Sequence, residues 1–306
     1  MLLRMTRVGL LPAFLFVPLL VLPPAAALDD YQATREALVE QINLLRKSAG
    51  VSALRLSAQL TTLAQERAAE IARGKKTSPL ADDDAKRLTA AGYESRLVSE
   101  IEARTDGDVE SVVAAWQDAK GFPAKDLVAK DYRDIGIGVS LDTEVPLYVL
   151  LFGLSWEDFF QERTAALSNL EKMREEMLAR VNKERLAHRL APLRRHPRLD
   201  DAAQGHADDM FRKRYYSHDS PDGKTAIDRI QALGYRAKYA GENIARGQYS
   251  VDEVMDGWME SKTHRDHLLS PVFDDVGFGL AFGKNPGGYE IIWVQNFGRP
   301  KGRERL

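Results

Sequence analysis

Two stretches of this 306-residue chain repeat one another. AGYESRLVSEIEARTDGDVESVVAAW, from Ala91 to Trp116, aligns without a gap to LGYRAKYAGENIARGQYSVDEVMDGW, from Leu233 to Trp258, 142 residues further on. Upstream, Asn43, Leu54, Leu60 and Ala64 match Asn182, Leu193, Leu199 and Ala203 at a spacing of 139. Downstream, AspIleGlyIleGly at 134–138 matches AspValGlyPheGly at 275–279, and PheGly at 152 and 297 closes both copies. A repeat of this length, each copy with its own tryptophan and apolar stripe, is a tandem duplication of a domain. The length suits two domains, each with a real core.

The capped helix of the second copy sets the local reading. Ser250 followed by Glu253 predicts a helix start, because the serine oxygen can take one orphan amide while the glutamate reaches back. Val251, Val254, Met255 and Trp258 then form one apolar stripe, which Val109, Val112, Val113 and Trp116 reproduce. Further helices are predicted from about Glu175 to His188, over Leu199–Met210 and around Ile227–Leu233. Two strands, Val276–Phe282 and Tyr289–Phe297, are joined by a turn at AsnProGlyGly. Helices first and strands last indicate an α+β domain. No Gly or Pro occurs from Leu154 to Ala191, and Ser155 with Asp158 offers a helix start. The connector is therefore expected to be helical and stiff, about 50 Å long if it runs as one piece. The predicted organisation is a signal peptide at 1–27, a degenerate first domain at 28–154, a helical connector at 155–174, the second domain at 175–300 and a tail at 301–306.

A formal net charge of −2 with 29% charged residues of both signs leaves no polybasic field, which argues against a nucleic-acid partner. Arg4 and Arg7 precede an apolar run from Val8 to Leu22, and small residues follow at Ala25, Ala26 and Ala27. That order predicts a secretory signal cleaved after Ala27, with nothing later apolar enough to span a membrane. The chain has no cysteine, so disulfides, a cysteine-linked lipid anchor and thiol catalysis are all excluded. An exported, cysteine-free protein suits a bacterial envelope or medium, either secreted or periplasmic.

All six histidines lie in the second copy. His218 sits in TyrTyrSerHisAspSerProAspGly, a loop dense in groups that bond backbone. Glu242 lies in GlyGluAsn beside Asn243, and His264 follows the capped helix. Two imidazoles and a carboxylate meet the needs of a divalent metal such as zinc, with a position left for water. The same three could act as acid and base without metal, or be hydrogen-bonded structural side chains. His206 shares the apolar face of Leu199, Ala202, Ala203 and Met210 and is expected to face the core. His267 is either a third ligand or the end of a helix, and His188 and His196 are expected to be solvated.

The series TyrTyrSerHisAspSerProAspGly, GlyGluAsnIleAla, GlyTrpMetGluSerLysThrHisArg, AspValGlyPheGly and TrpValGlnAsnPheGly resembles the bacterial CAP superfamily, also called the SCP or pathogenesis-related-1 type. The resemblance covers about Glu175–Gly298. It implies an α-β-α sandwich with a central cleft lined by two His and two Glu. His218 corresponds to the first family histidine, Glu242 to the first glutamate and His264 to the second histidine. Ser261 stands at the place of the second glutamate, with Glu260 beside it. In the first copy Glu100 is retained opposite Glu242, while Lys76 stands opposite His218 and Phe122 opposite His264, so that copy is read as degenerate, since neither side chain replaces a neutral imidazole ligand.

The resemblance implies a secreted module whose cleft binds a small apolar ligand, a peptide, another envelope component or a divalent metal. The alternative is a metal-assisted hydrolase of envelope peptide or glycan, with Glu242 as base and His218 and His264 holding a water. Amino-terminal sequencing of the protein from its native host should start at Leu28; an intact Met1 in a membrane fraction would refute the signal assignment.

Overall fold

Both copies build the same succession of elements. The structure is a computed structural model and describes residues 31–75, 80, 82–118 and 124–302. The first copy gives α1 (Gln32–Ser48), β1 (Arg55–Leu56), α2 (Ala58–Ala72), α3 (Asp82–Ala90), β2 (Ser95–Arg104), α4 (Val109–Asp118), α5 (Ala124–Leu127), β3 (Asp134–Ser140) and β4 (Leu147–Ser155). After α6 (Trp156–Thr164) and a 3-10 turn at Ala165–Leu167, the second gives α7 (Leu170–Ala187), β5 (Arg194–Arg195), α8 (Pro197–Lys213), α9 (Ala226–Ala232), β6 (Ala237–Arg246), α10 (Val251–Glu260), α11 (Lys262–Leu268), β7 (Asp275–Asn285) and β8 (Gly288–Pro300). The strands form two four-stranded sheets in the same order, β1-β3-β4-β2 and β5-β7-β8-β6. By packing, the chain divides into one compact unit of Met1–Ser78, Glu100–Lys130 and Ile135–Leu151 and another of Pro79–Ser99, Asp131–Asp134 and Phe152–Leu306.

The period-two alternation of β7 and β8 makes the second sheet the middle of three layers. Successive strand residues point to opposite faces. Val276, Phe278 and Leu280 with Ile291, Trp293 and Phe297 join one cluster, together with Met173, Met177 and Val181 of α7 and Val251, Val254, Met255 and Trp258 of α10. Ala281, Ile292 and Val294 join the other, with Ala203, Ala207 and Met210 of α8. Helices thus cover both faces, and the expected α-β-α sandwich is what the chain forms.

Conserved detail between the copies goes down to single hydrogen bonds. Asn43 Nδ2 donates to the Leu54 carbonyl at 3.0 Å and its Oδ1 accepts from Leu54 N at 2.7 Å. Asn182 and Leu193 repeat both bonds at the same lengths. Arg46 donates to the carbonyls of Ser52, Leu127 and Ala129, as Arg185 does to those of Ala191, Leu268 and Ser270. A buried arginine that satisfies three carbonyls pins the long first helix to loops distant in sequence, and its desolvation is offset by those bonds.

Three expectations need correction. The connector is not one helix: α6 ends in the 3-10 turn, and Asn169 starts α7 by accepting from Lys172 N at 3.0 Å. Glu253 does not close a capping box on Ser250, because its Oε2 accepts from Tyr249 N at 2.7 Å instead. The second copy's box is at Thr225 and Asp228, starting α9. His196 is not solvated: it is buried at the N-cap of α8, edge-on to Tyr235. The strand β6, which carries GlyGluAsn, and the helix α11 were not anticipated from the sequence. The signal peptide at 1–27, Lys76, Phe122 and residues 303–306 lie outside the described residues. Among the described residues no helix is long and apolar enough to cross a membrane.

Two glycines set the distance between α8 and the sheet. A Cβ on Gly277 would stand 2.2 Å from the Leu199 carbonyl carbon, and one on Gly279 would stand 2.2 Å from that of Ala203. The backbone of α8 therefore lies directly on β7. Gly279→Ala should cost about 1–3 kcal/mol by overpacking, read as a cooperative melt at lower temperature; an unchanged melting temperature would show that the layers can part freely.

Candidate functional site

Glu242 is buried, with 5% of its surface exposed, and its carboxylate is fully engaged. It points from β6 towards α8, since β6 places Glu242 opposite Asn296 and alternation sends it to the face of Ile244. His218 Nδ1 lies 2.9 Å from Oε1, and Arg229 Nη2 donates to Oε2 at 2.8 Å. Asn296, in the amide orientation that satisfies both its ends, donates to Oε2 at 3.1 Å. His206 Nε2 lies 3.8 Å from Oε1 and 3.0 Å from the Ser217 carbonyl oxygen. An ionised carboxylate can be kept under the surface only with this kind of pairing.

Arg229 holds the loop as well as the carboxylate. From α9 it donates to the carbonyls of His218 and Lys224 at 2.9 Å each and to Ser220 Oγ at 3.1 Å. The planar guanidinium reaches several acceptors at once, which fixes the loop that carries His218.

On the opposite face of β6 lies a second polar set. Asn243 is fully buried; its Oδ1 meets His267 Nδ1 at 2.8 Å, and its Nδ2 donates to the His264 carbonyl and to Gln295 Oε1, both at 3.2 Å. His264 Nδ1 contacts Ser261 Oγ at 2.8 Å. Ser261 ends α10 and precedes α11, so the pair sits at the junction of the two helices. Because β6 is the edge strand of its sheet, side chains from both faces can meet around it. The charge of His218 reaches both His264 and His267.

The predicted site residues therefore divide. His218, Glu242, Asn243, His264 and Ser261 gather about one stretch of β6, whereas Glu260 is exposed at the end of α10 and makes no hydrogen bond to them. His206 is buried as expected, yet it faces Glu242 as well as the core. His267 is clamped by Asn243 and by the backbone of Glu242. Arg229, Asn296 and Gln295 were missed. Only the comparison of copies could have flagged the two amides: PheGly at 152 and 297 puts Leu150 and Leu151 opposite Gln295 and Asn296.

That comparison separates fold from site. In the first copy Ile101, Leu150 and Leu151 are buried where Asn243, Gln295 and Asn296 stand. Arg67 occupies the place of His206 and forms a buried ion pair with Glu100. The fold closes without the polar set.

A divalent metal finds an incomplete donor set. Nδ1 of His218 and of His264 are taken by Glu242 and Ser261, which leaves each Nε2 as a donor. Glu242 is committed to Arg229 and His218 and orients an imidazole. Among the described residues no group of three His, Cys, Asp or Glu side chains is placed to hold a metal, and a catalytic zinc takes three protein ligands. Two imidazoles do not fit that requirement.

Without metal, the histidines differ in proton affinity. The hydrogen bond to Glu242 raises the pKa of His218 above the ordinary imidazole value, while desolvation, followed by the charge of His218, lowers that of His264. Desolvation also lowers His206 and His267. Folding stability from His218 is thus full below about pH 6.5 and is lost as pH rises through its folded value. For the three lowered histidines it is full above about pH 6.5 and lost as pH falls through theirs. In an NMR titration His218 should lose its proton at higher pH than His264, and Glu242→Gln should narrow the gap; equal midpoints in the wild type would refute the pairing.

The family model described as the cysteine-rich secretory protein family, CAP, matches residues 39–152 and 178–297. The chain is 34% identical to the Bacillus subtilis (strain 168) protein YkwD over 134 residues, 44% of this chain and 50% of that one. It is 31% identical to the membrane protein YlbC of the same organism over 105 residues, 34% of this chain and 30% of that one. The chain thus spans half or less of the length of these curated relatives. An extracellular protein containing a SCP domain from Bacillus anthracis str. Ames is 26% identical, with a TM-score of 0.40, over 50% of this chain and 53% of that one. With two matched segments that together make up more than half of its length, and with the three-layer sandwich in place, the chain belongs to the cysteine-rich secretory protein (CAP) family, although it contains no cysteine.

Proposed function

We propose that this chain is an exported binding module and that the ligand enters the cleft beside His264. The observation that carries this reading is a cleft of about 580 Å³ lined by Ile244, Ala245, Val254, Trp258 and Tyr216, with Ser261, His264, Arg246 and Gln248 as its polar groups. Apolar walls with few polar groups are what a ligand pocket needs. Gln248 Oε1 is buried without a hydrogen-bond partner, so a ligand that brings an N–H or O–H donor would remove a penalty of about 1–3 kcal/mol. An apolar body carrying amide donors describes a short peptide better than a pure hydrocarbon.

The second reading is hydrolysis, favoured by the opposite shifts of His218 and His264, which suit an acid and a base working together. A metal-assisted form would need further ligands from solvent or substrate.

Gly257 offers a clean test. It lines the cleft from α10, and a Cβ there meets nothing within 4 Å. Gly257→Leu should fill the cleft and leave the melting temperature equal or higher, since glycine weakens a helix interior. Calorimetry with the peptide amide acetyl-Leu-Ala-Leu-NH2 should show at least roughly tenfold weaker binding by the variant, about 1.4 kcal/mol. Equal binding by both proteins would overturn the cleft assignment. Release of cleaved peptide, or zinc uptake that depends on His218 and His264, would instead favour the hydrolase.

A further inference from the structure

We infer that Lys213, Arg214 and Arg246 form a monoanion subsite adjoining the peptide cleft, which takes the C-terminal carboxylate of the bound peptide; this rests on the cleft reading above. A second cavity, of about 530 Å³, is lined by these three cations together with Tyr249, Tyr289, Asn285 and Glu290. Arg246 lines both cavities, and Gln248, the next but one along, lines the first. One short turn at the end of β6 is therefore a wall common to the two.

The charge in this cavity suits one negative charge. Lys213 Nζ is 2.8 Å from Asp209, and Arg246 Nη1 is 3.4 Å from Glu290 while its guanidinium lies over the Tyr216 ring. Glu290 also accepts from Asn285 Nδ2 at 2.7 Å, which holds the acid in place against Arg246. Arg214 is exposed, and among the described residues no carboxylate pairs with it. Among the described residues two of the cations are paired with a carboxylate and one is not, which matches a carboxylate better than a dianionic phosphate. The guanidinium fork donates two parallel N–H bonds to a carboxylate.

The backbone makes Arg214 a clean position to test. Arg214 caps α8 in the left-handed conformation, φ 56°, ψ 48°. Such a φ favours glycine and strains a side chain with a Cβ. The first copy meets the same need at the end of α2 with Gly74, φ 75°. The same exchange is seen at Arg189, φ 60°, opposite Gly50, φ 69°, so the conformation does not itself mark a site; it makes Arg214→Gly a substitution that the backbone accepts and that removes only the guanidinium.

The test is calorimetry and thermal melting of the full-length protein with acetyl-Leu-Ala-Leu as free acid and as amide. The wild type should bind the acid roughly tenfold or more tightly than the amide, with the advantage shrinking as salt is added. Arg214→Gly should lose that advantage, bind the amide as before, and melt about 1–3 °C higher through relief of strain. An acid that binds no better than the amide, an advantage that survives Arg214→Gly, or inorganic phosphate competing better than acetate would each overturn the subsite. Amide binding that is still lost in Gly257→Leu would then leave the cleft reading standing, whereas failure of both peptides to bind the wild type would remove both readings.

Discussion

The close seating of α8 on β7 is the constraint from which the rest follows. Helix backbone can approach a sheet this nearly only where no Cβ stands between them, and Gly277 and Gly279 clear that ground. Gly136 and Gly138 do so against Leu60 and Ala64 in the first copy. With α8 brought so close, His206 on its buried face comes within reach of a carboxylate on the sheet. The same contact directs the larger side chains, among them Trp258 and Trp293, to the other face, where α7 and α10 leave room for them. Packing density does the rest, because neither layer can shift without opening voids or clashes.

Around that frame the two copies use their buried polar groups differently. The first has a simple solution, an arginine against Glu100 and apolar side chains at the matching positions, and its sequence has no histidine. The second surrounds Glu242 with two imidazoles, a guanidinium and an amide, and adds Asn243, His267 and Gln295 on the far face of the strand. Gln295 Nε2 remains buried without a partner. Burying so many polar groups carries a desolvation cost that apolar residues of like size would avoid. Its retention in one copy only points to a use other than folding.

The loop that carries His218, the helix α11 that carries His264 and the turn after β6, where Gln248 Oε1 is buried without a partner, hold groups whose proton affinities or hydrogen bonds are not those of a relaxed fold. Stability is conceded locally in this region and recovered in the layers beneath it, where Met255, Trp293 and Phe297 are essentially sealed from solvent.

From the sequence alone come the duplication, the helix over Val251–Glu260 and the paired strands after it, together with His218, Glu242 and His264 as candidate site residues. These are local or repetitive signals: a cap, a period, or a residue present in one copy and replaced in the other. It could not reveal that GlyGluAsn is an edge strand, because β6 takes its conformation from pairing with β8, more than fifty positions away in places. Nor could it place Arg229 beside Glu242, since Arg87 stands at the matching position and hides the contrast. His196 shows a related effect: its basic neighbours in sequence suggest solvent, but Tyr235 covers the ring from a distant part of the chain. The partners of Glu242, an imidazole, a guanidinium and an amide, were likewise visible only in the tertiary structure. A carboxylate's role depends on which donors converge on its two oxygens, and those donors come from three separate segments.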